Sequence, residues 1–174
     1  MDQLKQYIRT VPDFPRPGIN FYDITTLFQD PVGFGLSLDA MEAYARSKRP
    51  NKLVAIEARG FVFGAALADR LNIGLVLARK LGKLPFKTIT EEYTLEYGTD
   101  RLQIHADAIK PNDRVIVVDD LLATGGTLAA ACRLVEKLGG QVVGISAVIA
   151  LDFLPFRQKL SGYDINSLIS YDSE

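Results

Sequence analysis

Cysteine is nearly absent. The chain holds only Cys132, so no intrachain disulfide framework can form, and the usage fits a reducing compartment. Cys132 also falls on an apolar helical stripe, where packing rather than reactivity is expected. No excess of one charge exists either: 20 Lys and Arg stand against 21 Asp and Glu, a net charge of −1 that gives no electrostatic case for a nucleic-acid partner. No apolar run reaches the length of a membrane-spanning helix, and the N-terminus has no signal-peptide apolar core, so a cytoplasmic chain without a membrane partner is expected. The single histidine, His105, has no partner cluster and is expected at the surface. No G-x-G-x-x-G follows a candidate strand, and no glycine turn ends in the Gly-Lys-Ser/Thr of a P-loop. Repeats, low-complexity segments and linkers are missing as well. What remains is 174 residues, 48% hydrophobic and 24% charged, which suits one domain with a sizeable core.

The most informative stretch is Val115-Ile-Val-Val-Asp-Asp-Leu-Leu-Ala-Thr-Gly-Gly-Thr127. Val115 to Val118 offer no polar residue to a solvated face, so they read as a strand buried on both sides, as in a parallel sheet. Asp119 and Asp120 follow at its carboxyl end, the edge where open α/β sheets bind ligands. A turn of small residues leads into a helix whose apolar stripe is Leu128, Ala131, Cys132, Val135 and Leu138. Gly125 and Gly126 let the backbone approach a ligand, and the free N–H groups of the first helical turn, with the helix dipole, suit a phosphate. The aspartates repel a phosphate and suit vicinal hydroxyls or a metal beside it. A phosphorylated sugar satisfies both halves.

Elsewhere the chain alternates strands and amphipathic helices, which predicts an α/β fold with a doubly wound, mostly parallel sheet flanked by helices. A short helix over Asp2 to Arg9 leads into an irregular Pro-rich segment through Val11 to Gly18 and on to Thr25. Asp30-Pro31 starts a helix with a Phe34, Leu38, Met41, Ala45 stripe that stops at Pro50-Asn51. Lys52 to Glu57 reads as a buried strand, followed by a small-residue helix over Phe61 to Leu71 in which Gly60 and Gly64 permit close packing on the sheet. Arg59 stands at that strand's carboxyl end, where an unpaired guanidinium is costly; it either meets an anion or pairs with Glu57. Gly74 to Ala78 is a second strand, with the cations Arg79, Lys80 and Lys83 after it. Thr88 to Gly98 and Arg101 to Ile104 predict a hairpin or flap with few apolar anchors, on which Glu91, Glu92 and Glu96 have the usual fate of solvated strand residues. Gln141 to Leu151 is a long buried strand, Phe153 to Leu160 a short helix, and Ile165 to Tyr171 a last strand.

These residues carry a resemblance. The stretch from Asp119 to Thr127 closely resembles the phosphoribosyl diphosphate signature of the type I phosphoribosyltransferase family. The resemblance implies that Asp119 and Asp120 hold ribose hydroxyls while Ala123, Thr124, Gly125, Gly126 and Thr127 cradle the 5-phosphate. Pro12-Asp-Phe-Pro-Arg-Pro-Gly-Ile-Asn-Phe-Tyr-Asp-Ile-Thr25 is similar to the opening of the adenine-using members. It implies that Asn20, Phe21 and Tyr22 wall the base pocket, partly through backbone groups, with Tyr22 where relatives commonly carry arginine. Leu151 falls where the family packs an aliphatic side chain on the adenine ring, next to Ala150 where relatives often have Glu. Glu57-Ala-Arg-Gly-Phe61 resembles the pyrophosphate loop, which gives Arg59 and nearby N–H groups the leaving group; the peptide joining Ala58 to Arg59 is expected to be cis or distorted. Arg79-Lys-Leu-Gly-Lys-Leu-Pro85 resembles a second pyrophosphate segment, implicating Arg79, Lys80 and Lys83, part of which reaches a neighbouring site in related dimers.

Tyr93-Thr-Leu-Glu-Tyr-Gly98 matches the family's mobile hood loop and implies a catalytic Glu96 near the imidazole nitrogens of the base, with Tyr97 beside it. The resemblance covers nearly the whole chain. It implies one domain over 1–174, with a hood from about 1–30 and a flexible flap at about 83–104. The implied activity joins adenine to 5-phosphoribosyl 1-diphosphate, with Mg²⁺ held mainly through substrate diphosphate and ribose oxygens rather than by dedicated protein ligands. A homodimer is implied too. Two alternatives stay open: a relative that takes another purine base, and a non-catalytic purine or phosphoribosyl diphosphate sensor.

Adenine must give up its imidazole proton as the other imidazole nitrogen attacks the sugar, and Glu96 is the acceptor this pattern offers. Glu96→Gln is expected to lower kcat by roughly 10²–10⁴-fold while phosphoribosyl diphosphate binding changes little. Steady-state kinetics, with the same change at Glu91 or Glu92 as control, checks this; near-normal turnover would pass the role to water or backbone.

Overall fold

The computed structural model describes residues 2–94 and 98–173. Glu96 and Tyr97 lie outside the described residues. The expected first helix is a 3₁₀ helix, Asp2–Tyr7, and it ends before Arg9 because the chain there is already extended. Strands β1 (Arg9–Val11) and β2 (Phe21–Asp23) pair antiparallel, with Val11 opposite Phe21, where an irregular segment was expected. The Pro-rich run between them closes the ribbon: Asp13 accepts a hydrogen bond from the Gly18 N–H at 2.8 Å, and the Phe14 N–H donates to the Ile19 carbonyl at 3.1 Å. A further element that the periodicity did not reveal is helix α1 (Thr25–Gln29), at whose start Asp23 accepts from both the Thr25 N–H (2.9 Å) and its hydroxyl (2.6 Å).

Helix α2 (Pro31–Lys48) begins where Asp30-Pro31 predicts. The Asp30 carboxylate accepts from the Val32 and Gly33 N–H groups, both at 2.9 Å, a cap that contributes about 1 kcal/mol. Strand β3 (Lys52–Ile56), helix α3 (Gly60–Leu71), strand β4 (Gly74–Lys80), hairpin strands β5 (Thr88–Thr94) and β6 (Thr99–His105), strand β7 (Arg114–Leu122), helix α4 (Gly126–Lys137), strand β8 (Gln141–Leu151), the short helix α5 (Phe156–Lys159) and strand β9 (Ile165–Tyr171) complete the order. No described helix is long and apolar enough to cross a membrane.

Seven strands form one sheet in the order β5-β6-β4-β3-β7-β8-β9, with β4, β3, β7, β8 and β9 parallel and the hairpin antiparallel at one edge. Helices cover both faces. Val115 and Val117 of β7 pack with Leu128, Ala131, Cys132 and Val135 of α4, whereas Ile116 and Val118 pack with Leu38 and Met41 of α2 and Phe63 and Leu67 of α3. All four β7 residues are fully buried, which is why the run carries no polar side chain. Phe63 is fully buried as well, and removing such a phenyl costs roughly 3–5 kcal/mol. Gly64 lets α3 lie flat on β3: a Cβ there would stand 2.4 Å from the Ala55 Cβ. Burial pushes the Cys132 thiol up to about 12, as expected of a packing residue.

The hairpin differs most from its expected character. Tyr93, Leu102 and Ile104 are buried in the core on the α4 side, so the described part of the flap is well anchored. Glu91 is not a solvated strand residue: it pairs with Arg133 at 2.6 Å and with Lys137, both on α4. Glu92, paired among the described residues with exposed Arg101 at 3.3 Å, is therefore the cleaner control for a substitution at Glu96. His105 is half-buried, its Nε2 2.7 Å from the Pro85 carbonyl oxygen, rather than at the open surface.

Candidate active site

Strand order reverses between β3 and β7. From β3 the chain crosses through α3 to β4 on one side; from β7 it crosses through α4, on the opposite face, to β8 on the other. The carboxyl ends of β3 and β7 therefore flank a crevice, the usual ligand position in such sheets. Glu57, Ala58 and Arg59 leave β3 into it, and β7 delivers Asp119 and Asp120. The last strand residue is Leu122, so both aspartates lie within the strand rather than after it, and Asp120 is only 5% exposed.

The turn after β7 is shaped by Gly125, whose φ of 76° lies in the left-handed region and whose absent Cβ would stand 3.0 Å from the Phe156 Cβ. Helix α4 starts with no side-chain cap, leaving its first N–H groups for a ligand. A cavity of about 70 Å³ lies against this start, lined by Ala123, Thr124, Gly125, Gly126 and Thr127 together with Asp119. Its small size and ring of backbone donors suit a single phosphate group.

A second cavity, of about 490 Å³, shares Asp119, Leu121 and Thr127 with the first, so the two adjoin. Arg59 and Lys80 bring cations to it; Glu57, Asp100, Asp119 and Asp120 bring carboxylates. The Arg59 Nε lies 2.7 Å from Asp120, and its guanidinium stands over the Phe21 ring at 5.9 Å. The alternative Arg59–Glu57 pair does not form. Glu57 instead binds the Arg79 guanidinium at 2.7 Å and the Lys80 N–H at 3.1 Å, and the Arg79 hydrogen bond holds its carboxyl below the usual range. The cis peptide joins Glu57 to Ala58, one bond earlier than expected.

Asp119 has a different environment. It accepts a hydrogen bond from the Asp120 N–H at 2.9 Å, while burial and then the Asp120 charge push its carboxyl well above the ordinary range. A side chain at residue 60 would crowd it, since a Cβ on Gly60 would come within 3.0 Å of the Asp119 carboxylate. Gly60 thus serves the site as well as the packing of α3.

Other expected residues sit apart from this crevice. The Arg79 guanidinium is held by Glu57 and the Lys83 carbonyl (3.0 Å), and neither Arg79 nor Lys83 lines the cavity. Phe21 stacks edge-on against Phe14 at 5.2 Å. Tyr22 turns its side chain into the core, stacked at 3.7 Å on Tyr171, which pairs in register with Leu151. Asn20 immediately precedes β2. The hood side is thereby tied to the ends of β8 and β9, with Phe21 reaching Arg59.

Sequence reasoning missed Asp100 and Tyr93. They are cross-strand partners in the hairpin; Asp100 binds Lys80 at 3.1 Å and accepts from the Tyr93 hydroxyl at 3.3 Å. The signal for Asp100 was the hairpin register, which a sequence does not print; Tyr93 opened the run that resembles the hood loop but was given no role there.

Comparison with known proteins agrees with this geometry. The sequence model described as "Phosphoribosyl transferase domain" matches residues 36–160. An adenine phosphoribosyltransferase of Koribacter versatilis is 53% identical over 171 residues, covering 98% of this chain and 94% of the relative. Among solved structures, adenine phosphoribosyltransferase from Thermoanaerobacter pseudethanolicus superposes with a TM-score of 0.94 at 50% identity, covering 98% of this chain and 99% of the other. The Saccharomyces cerevisiae adenine phosphoribosyltransferase, complexed with an imino-altritol bisphosphate and adenine, gives 0.92 at 38% identity, with 97% of each chain covered.

The raised pKa of Asp119 has a consequence for stability. The folded state binds its proton more tightly than the unfolded chain does, so stability falls as pH rises from the ordinary carboxylate range up to the raised value. Asp119→Asn keeps the hydrogen-bond acceptor and removes the charge. It is expected to raise Tm near neutral pH, each 1 kcal/mol appearing as roughly 2–4 °C in a chain of this size, with the advantage shrinking as pH falls. Thermal unfolding across pH checks this; equal Tm values at neutral and acid pH would show that Asp119 ionises freely.

Proposed function

The chain belongs to the phosphoribosyl transferase family, and from that premise we propose that it transfers a 5-phosphoribosyl group from 5-phosphoribosyl 1-diphosphate to adenine, giving AMP and pyrophosphate. The observation that carries this reading is the adjacency of the two cavities. A phosphate-sized cradle adjoins a larger cavity that holds the acidic pair together with Arg59 and Lys80, the groups that a 5-phosphate, a ribose and a diphosphate call for.

Breaking the bond from the anomeric carbon to the diphosphate oxygen leaves positive charge on the sugar and negative charge on the leaving group. Arg59 and Lys80 stabilise the departing anion electrostatically. Asp119 and Asp120 hold the ribose hydroxyls and lie near the developing cation. The N–H groups from Ala123 to Thr127 anchor the 5-phosphate, fixing the sugar for attack. Asn20, Phe21, Tyr22 and Leu151 form the base side, Tyr22 through its backbone because its ring is packed on Tyr171. Glu96 takes the imidazole proton, with Tyr97 beside it.

Mg²⁺ fits this donor set as a substrate-borne ion. Among the described residues no group of three or more His, Cys, Asp and Glu could hold a metal, and Asp120 is already engaged by Arg59. Asp119, with substrate oxygens, would hold it, and when bound it supplies neutralisation of diphosphate charge.

Arg79 and Lys83 point to an assembly. They stay out of their own chain's cavity, and the segment after β4 carries exposed Leu81 and Phe86, the latter 75% exposed. A homodimer in which this basic segment meets the neighbouring site accounts for both facts. A cytoplasmic location accords with the lone, inert Cys132.

Two measurements test this function. With phosphoribosyl diphosphate, Mg²⁺ and a panel of bases, adenine should yield AMP and pyrophosphate, with hypoxanthine, guanine and xanthine slower by roughly 10²-fold or more. A preference for another base, or no turnover with any, would establish one of the alternatives. Sedimentation should show a dimer under assay conditions, and a fully active monomer would refute the shared site.

A further inference from the structure

We propose that Asp100 is a positioning residue that competes with the diphosphate for Lys80 and so sets which anions the cationic end of the cavity accepts. The inference rests on reading that cavity as the diphosphate site. Lys80 is the last residue of β4, and its backbone partner on β6 is Leu102. Asp100 lies two residues from Leu102 along β6, on the same face, and its carboxylate meets the Lys80 ammonium at 3.1 Å. The same oxygen accepts from the Tyr93 hydroxyl at 3.3 Å, and the other accepts from the Arg101 N–H at 2.8 Å. Tyr93 and Thr127 line the same cavity. Lys80, Asp100 and Tyr93 are thus linked along the cavity wall.

Its position separates this pair from the other ion pairs of the sheet edge. Glu57–Arg79 locks a guanidinium that does not line the cavity, whereas Lys80, Asp100 and Tyr93 all line it. A carboxylate inside an anion site acts in two ways: it neutralises the cation that the anion needs, and it repels the anion itself. An anion therefore gains Lys80 only by displacing Asp100. Orthophosphate, with one phosphorus centre, has little else to gain in this cavity. A diphosphate spans Arg59 and Lys80 together and can exchange the pair. Asp100 therefore disfavours simple anions more than the diphosphate. The Lys80 side chain is 61% exposed and that of Asp100 24%, so screening limits the effect to roughly two- to tenfold in affinity.

The test is Asp100→Asn in the full chain, which keeps the size and one acceptor, for the Arg101 N–H, and turns an amide NH2 toward Tyr93, whose hydroxyl can accept it. Calorimetry with Mg²⁺-pyrophosphate and with orthophosphate is expected to show both binding more tightly, within roughly two- to tenfold, orthophosphate by the larger factor. KM for phosphoribosyl diphosphate should fall, and pyrophosphate should inhibit more strongly, which a merely structural role would not produce. Asp100→Glu, which retains the charge, should restore the affinities of the parent chain. Lys80→Met should abolish the difference between Asp100 and Asn, the coupling expected of a direct pair. Unchanged or weaker pyrophosphate binding by a folded Asp100→Asn protein, beside normal binding by the parent, overturns this inference alone. Failure of the parent to bind pyrophosphate overturns the diphosphate reading and this inference with it.

Discussion

Two carboxylates on consecutive residues of a buried strand are the constraint around which this edge of the sheet is arranged. Taking both from water as anions is costly, and their mutual repulsion adds to the cost. The two are handled differently. Asp120 keeps a partner, Arg59, at 2.7 Å. Asp119 receives a backbone N–H and a strongly raised proton affinity. Gly60 makes room for this arrangement by bringing no side chain to the start of α3. Charge, helix placement and a missing methyl are three consequences of one sequence feature, Asp119-Asp120.

The same compensation extends along the edge. Arg59 is matched by Asp120 and Arg79 by Glu57, so the strand ends present paired rather than bare charge. Pairs with partial exposure contribute little net stability, about 0–1 kcal/mol each. That low value matters for ligand exchange. A polyanion that takes over Lys80, whose pair with Asp100 is partly exposed, forfeits little folding energy and gains a charge-assisted contact. A site built from strong, fully buried pairs would resist such exchange, because breaking one leaves an uncompensated buried charge.

What could be read in the sequence was what depends on local pattern. The run Val115 to Val118 announced a strand covered on both faces, and all four residues are fully buried. The bounds of β8 and β9 agree with the expected strands, and Asp30-Pro31 marked the start of α2 through a cap that needs only neighbouring N–H groups. What could not be read was what depends on register between distant segments. Arg59 was assigned an anion or Glu57 and found Asp120, because the partner is chosen by the packing of β3 beside β7. The hairpin was expected to be weakly anchored, because its acidic alternation hid that Glu91 is held by two cations on a helix more than 40 residues later. Helix α1 is only five residues long, with Leu27 its one fully buried residue, so periodicity had nothing to detect.

Helix α4 connects the two halves of the site. Its first turn forms the wall of the phosphate-sized cavity, and its later residues Arg133 and Lys137 grip Glu91 of the hairpin. Leu102 and Ile104 bury the hairpin's other strand in the same core that α4 covers. Chain register is therefore fixed up to the cross-strand pair Thr94 and Thr99, the two residues between which the sequence carries Glu96. A shift of α4 on the sheet would move the cradle and the base of the hairpin together. Coupling of this kind needs no separate signalling path: it follows from one helix carrying both an uncapped N-terminus and the cations that hold Glu91.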